Sequence, residues 1–140
     1  MRNNVQKRNG YSVIVGCGEL GARLAGAFSE SGQSVVIIDR DSERFSLLPP
    51  GFSGFTLEGD AVELLTLQRA KTGQASIFVA TTESDSVNLF TCQTARTYYE
   101  VPTVACRIYD PELEEICRTK GIIPIPSIAV EAESFMALLG

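Results

Sequence analysis

Residues 11–39 read YSVIVGCGELGARLAGAFSESGQSVVIID, and the order of parts in this stretch leaves the chain few folds to choose from. A short, β-branched apolar run from Tyr11 to Val15 leads into Gly16-Cys17-Gly18-Glu19-Leu20-Gly21. An amphipathic segment follows, then a second apolar run that ends in Asp39. Strand, glycine-rich turn, helix and strand, with an acid about 20 residues beyond the glycines, is the pattern of a βαβ unit that holds a dinucleotide. The three glycines carry separate tasks: Gly16 permits a sharp turn off the strand, Gly18 lets a phosphate approach the backbone, and Gly21 lets the helix pack closely. The free N–H groups and positive dipole end of the helix would then hold the anion. Asp39 can accept hydrogen bonds from adenosine ribose hydroxyls, and its charge repels a 2′-phosphate, which favours NAD or a plain adenine nucleotide over NADP. Arg40 beside it can lie over the adenine face or pair with a phosphate.

The remaining pattern repeats strand and helix. The first helix is expected from Glu19 to about Ser31, with Leu20, Leu24, Ala27 and Phe28 toward a sheet. After the strand Ser34 to Ile38, Asp41 reads as the cap of a short helix that turns Phe45 and Leu48 inward and stops at Pro49-Pro50-Gly51. A weak strand from Gly54 to Leu57 precedes a helix from Ala61 to Thr72, capped by Asp60 and closed by Gly73. A fourth strand covers Ala75 to Ala80. The long helix after Thr81 to Asp85 is expected to face inward through Val87, Phe90, Thr91, Ala95 and Tyr98. A fifth strand, Pro102 to Arg107, is followed by a helix opened by Asp110-Pro111, with Leu113, Ile116 and Cys117 inward. The prolines in Ile122 to Pro126 predict an edge strand. Ser127 then caps a last helix bearing Ile128, Ala132, Phe135 and Leu139.

Five or six strands alternating with helices specify an α/β fold: a Rossmann-like, doubly wound parallel sheet, about six strands in the order 3-2-1-4-5-6. Such sheets bind ligands beyond the C-terminal strand ends. That edge adds Asp60 and Ala61 after strand three, Thr81 and Thr82 after strand four, and Arg107 after strand five to the candidates. Residues 1–9 read as a flexible tail, 10–126 as one nucleotide-binding domain, and 127–140 as a helix used in dimer packing.

Composition removes several functions. The net charge of −5 opposes nucleic-acid binding, which requires a basic surface to replace counterions. The chain of 140 residues has no histidine, so the commonest general base and metal ligand is missing, and neither a catalytic nor a metal site is expected. Cys17, Cys92, Cys106 and Cys117 form no CxxC pair and read as packing residues. Cys17 also lies at a helix N-terminus, where a thiol pKa is lowered. No apolar run approaches the roughly 20 residues that span a bilayer, and the N-terminus lacks an apolar signal core. A cytoplasmic protein without direct membrane insertion is expected.

Five segments in order give a specific resemblance: VIVGCGELG, VVIIDRDSER, EGDA (58–61), FVATTESDSVN (78–88) and VACRIYDPE (104–112). Together they resemble the TrkA-N domain, also called RCK or KTN, a cytoplasmic nucleotide-binding regulator of potassium channels and uptake systems. The resemblance implies an adenine-nucleotide cleft for NAD(H) or a mononucleotide such as AMP, ADP or ATP. Gly16, Cys17, Gly18, Glu19, Leu20 and Gly21 would surround the phosphate and ribose, Asp39 and Arg40 the adenosine end, and Asp60, Ala61, Thr81, Thr82 and Arg107 the remainder. It implies a homodimer or larger ring acting on a separate potassium-transport membrane subunit, close to the inner face of the membrane. Thr82-Glu83-Ser84 stands where a glycine or small acidic turn is more usual, and Pro124 and Pro126 make the last strand atypical. An NAD-dependent oxidoreductase and a free-standing nucleotide or redox sensor are the alternatives. Only Lys7, Lys71 and Lys120 offer amines, and they fall in the tail and at helix ends, away from a nicotinamide.

Overall fold

The computed structural model describes residues 7 and 9–140. Most of the expected flexible tail, residues 1–6 and 8, lies outside the described residues. Lys7 donates through Nζ to Gly73 O at 2.8 Å and to Tyr99 O.

Six strands form one parallel sheet: β1 (Tyr11–Val15), β2 (Ser34–Asp39), β3 (Phe55–Glu58), β4 (Ile77–Ala80), β5 (Thr103–Ile108) and β6 (Ile123–Pro126). Their order is β3-β2-β1-β4-β5-β6, the doubly wound order expected from the glycine-rich turn. The helices are α1 (Glu19–Glu30), α2 (Leu64–Arg69), α3 (Asp85–Gln93), α4 (Glu114–Thr119) and α5 (Ser127–Leu139), with a 3₁₀ segment at Ser42–Leu47 between β2 and β3. Alternation along β1 divides the core. Ile14 joins Ala22, Ala25, Val35 and Ile37 under α1 and the 3₁₀ segment. Val13 and Val15 join Phe78, Val104 and Ile108 on the opposite face, with Cys92 of α3 and Cys117 of α4. Every residue of β1 is buried, as a central strand covered on both faces requires.

Register sets the site. Val15 lies opposite Ile38 on one side and Ala80 on the other. Gly16, Asp39 (the last residue of β2, opposite Glu58) and Thr81 therefore lie at one level along the sheet edge. All strands run parallel, but the order in which they are laid down switches at β1, with β2 added on one side and β4 on the other, and this switch point makes the edge the crevice of the fold.

Several local expectations fail for physical reasons. The second helix starts at Leu64, because Asp60 makes a turn instead: its Oδ1 accepts from Val62 N at 3.1 Å and its carbonyl from Glu63 N at 3.0 Å. That helix ends at Arg69, and Lys71 takes a left-handed conformation (φ 56°) ahead of Gly73. On α3 and the π-helical turn Thr94–Tyr98, the buried residues are Asn88, Thr91, Cys92 and Ala95, followed by Tyr99. Thr91 and Ala95 face inward as expected, but Phe90 and Tyr98 are exposed and Asn88 and Cys92 take inner positions that the expectation did not name. Ala27 and Ile116 also face outward. Ser127 opens α5, but no side chain caps that helix. β6 is the edge strand that its prolines demanded, with Pro124 and Pro126 opposite Cys106 and Ile108.

Candidate functional site

A cleft of about 1000 Å³ opens at the C-terminal edge of the sheet, between the loops after β1, β2, β3 and β4. Eleven of the sequence candidates line it: Gly16, Gly18, Glu19, Leu20, Asp39, Arg40, Asp60, Ala61, Thr81, Thr82 and Arg107. Cys17 and Gly21 lie beneath the loop, outside the lining.

The three glycines differ in what demands them. Gly16 has φ +100°, and a Cβ there would meet Thr81 Oγ1 at 3.0 Å and Thr82 N at 3.1 Å. A Cβ on Gly21 would lie 1.7 Å from Gly16 O, so any side chain breaks the packing of α1 on its own loop. Both are required by the protein itself. Gly18 is not. Its φ of −82° suits any residue, and the nearest atom to an added Cβ is Arg44 Nη1 at 3.5 Å, an ordinary contact. It is the N-cap of α1 and offers no side chain to the first-turn N–H groups, which helix geometry leaves without intrahelical partners.

Asp39 fastens the loop. Its Oδ2 accepts from Cys17 N at 2.8 Å and its Oδ1 from Asp41 N at 2.9 Å. Each carboxylate oxygen keeps a second lone pair for a ligand hydroxyl. Asp41 in turn caps the 3₁₀ segment by accepting from Glu43 N at 3.0 Å. Cys17 closes the clip from below: its buried thiol donates to Arg44 O at 3.4 Å. Burial pushes that thiol up to about 11, with Asp39 adding to the rise and Arg44 opposing it. The helix N-terminus does not lower the thiol, and Cys17, protonated at neutral pH, fills the tight loop as a packing residue. All four cysteines are buried and free of disulfides.

Arg44 is the cation of the lining that sequence reasoning passed over. The signal was present, since a 3₁₀ turn eclipses positions i and i+3. Capping at Asp41 therefore brings Arg44 back over the glycine loop, and both line the cleft. Arg40, Arg44 and Arg107 are the cations of the lining; no carboxylate among the described residues lies within salt-bridge distance of any of them.

The far wall is tied together by Asn88, which is fully buried. Its Oδ1 accepts from Thr82 N at 2.9 Å and Thr82 Oγ1 at 2.6 Å, and its Nδ2 donates to Thr82 O at 2.9 Å and Arg107 O at 3.0 Å. All four hydrogen-bonding positions of the amide are used. Asp85 continues the seam by accepting from Tyr109 N and Asp110 N at 2.8 and 3.0 Å. Thr81 Oγ1, 3.0 Å from both Val15 O and Gly16 O, donates across to the glycine loop. Among the described residues, no group of histidine, cysteine and acidic side chains could hold a metal ion.

The family model for the TrkA-N domain matches residues 12–127. The Trk system potassium uptake protein TrkA of Streptomyces coelicolor is 34% identical over 92% of this chain and 58% of its own length. A TrkA homolog of Methanothermobacter thermautotrophicus is 30% identical over 80% of this chain and 51% of its own length. The chain thus spans about half the length of the curated relatives it matches. Among solved structures, the TrkA-N domain of the Escherichia coli inner membrane protein ybaL superposes with a TM-score of 0.82 at 16% identity, covering 99% of this chain and 100% of that one. The GsuK channel bound to NAD gives 0.70 at 16% identity over 90% of this chain and 22% of that one. The Kef C-terminal domain of Shewanella denitrificans in its AMP-bound form gives 0.72 at 20% identity, over 93% and 82%. At such identities these likenesses establish the fold.

Proposed function

Because the chain belongs to the TrkA-N domain family, we propose that it is a cytoplasmic regulatory unit that binds NAD(H) or another adenine nucleotide and controls potassium transport through a separate membrane protein. The single observation that carries the ligand half is Gly18. It is the one fingerprint glycine that neither backbone conformation nor packing requires, and it lies under an open cleft. A glycine in such a place is explained by what must approach it from outside.

In this reading the phosphates lie over Gly18 and the start of α1, within reach of Arg44. The ribose bonds to Asp39, and the adenine lies beside Arg40 and Val62. Thr81, Thr82 and Arg107 face whatever extends from the phosphates toward β4 and β5. Support for a nucleotide comes from the NAD-bound and AMP-bound structures of similar fold. Support for potassium transport comes from the relatives named for uptake of that ion. The role is regulatory rather than catalytic. The cleft has no histidine, and its acids and arginines serve recognition. Binding would act by differential affinity for two arrangements of paired domains.

Equilibrium titration with NADH, NAD, ATP, ADP and AMP tests the ligand half. Saturable binding of at least one is expected. Failure of all five would remove the nucleotide reading, and turnover of NADH with small carbonyl substrates would replace a regulator with an enzyme.

A further inference from the structure

We infer that Ser127 is a positioning residue for Arg107, and that this contact couples occupancy of the cleft to the start of α5. The inference rests on the nucleotide reading above. Arg107 lines the cleft, and its guanidinium is fixed at three points. Nη1 donates to Thr81 O at 3.1 Å, Nε donates to Ser127 Oγ at 2.8 Å, and Cζ lies 4.8 Å from the centre of the Tyr109 ring. No carboxylate among the described residues neutralises it, and its Nη2 makes no hydrogen bond among them. A guanidinium oriented this firmly, with donors to spare and no counter-charge, is prepared for an acceptor arriving from the cleft.

Ser127 is the unexpected member. The N-cap position of α5 falls on Pro126, so Ser127 sits one residue inside the helix. Here α5 has no side-chain cap, and the hydroxyl accepts from the cleft arginine instead. None of the residues of α5 is buried, so little else fixes its first turn. The guanidinium is a rigid plane, so a ligand that fixes its Nη2 edge also fixes Nε against Ser127. Occupancy therefore steadies the first turn of α5, and by reciprocity any displacement of α5 alters affinity in the cleft.

Hydrogen exchange read by mass spectrometry on the intact chain, with NADH and with ADP in separate experiments, tests the coupling. In the natural sequence, nucleotide should slow exchange both in residues 16–22 and in residues 127–134. In Ser127→Ala the protection of 16–22 should persist, protection of 127–134 should disappear, and affinity should fall about 5-fold, the scale of one ordinary net hydrogen bond. Ser127→Thr, which keeps the hydroxyl, should restore both. Equal protection of α5 in Ser127→Ala, or protection of 16–22 alone in the natural sequence, would overturn the coupling while leaving the nucleotide reading intact. If neither nucleotide protects residues 16–22, both fall.

Discussion

At the scale of single residues, the glycine loop separates what the fold needs from what a ligand needs. Gly16 and Gly21 are held by φ +100° and by a 1.7 Å approach, whereas Gly18 has room for a side chain. All three were legible as a pattern, but a pattern cannot say which of its members the protein uses for itself. The same limit applies to Asp39. Its place at a strand end was readable, yet its bonds to Cys17 N and Asp41 N depend on how the loop closes. Arg44 escaped notice because an arginine in DSER reads as surface charge until the 3₁₀ turn returns it to the cleft. We expect Arg44→Ala to weaken ADP by up to about 5-fold, as suits a solvent-exposed charge contact worth at most about 1 kcal/mol. Adenosine, which has no phosphate, should be unaffected. Calorimetric titration of the two ligands checks this, and equal loss for both would place Arg44 elsewhere in the site.

At the scale of elements, strands were the most readable parts, because β1, β2 and β4 are short apolar runs between turn residues. Helix faces were less so. The inner face of α3 carries Asn88, and hydrophobic periodicity is blind to a position that buries a polar group for hydrogen bonding. Asn88 shows why the polarity is there: it joins the loop after β4 to the end of β5, and with it two walls of the cleft. Asn88→Ala should therefore cost about 2–3 kcal/mol of stability, because buried partners on Thr82 and Arg107 lose their bonds. Urea denaturation measures it. A loss below about 0.5 kcal/mol, the level of a neutral surface change, would mean that the seam is held by other contacts.

At the scale of the whole molecule, the strand order and the edge that carries the cleft followed from the sequence, since alternating strands and helices admit few windings. The surroundings of α5 did not follow, because a sequence shows an apolar stripe without showing what covers it. Ile128, Phe135, Met136, Leu138 and Leu139 are all more than half exposed, a patch of the kind that marks association. We expect light scattering to report a dimer or larger assembly, and Phe135→Glu with Leu138→Glu to shift it to monomer without lowering the melting temperature. An unchanged assembly would place pairing on another face. The central claim, that the cleft above Gly18 is kept open for a nucleotide, is tested most directly by titrating Gly18→Val and the natural sequence with NADH and ADP, alongside their thermal melts. The account predicts a variant that folds within about 1 kcal/mol of the original, as a changed N-cap allows. It also predicts that whichever nucleotide binds the original loses at least about 100-fold in affinity, or roughly 2.7 kcal/mol. Undiminished binding by the variant, or a variant that no longer folds, would contradict it.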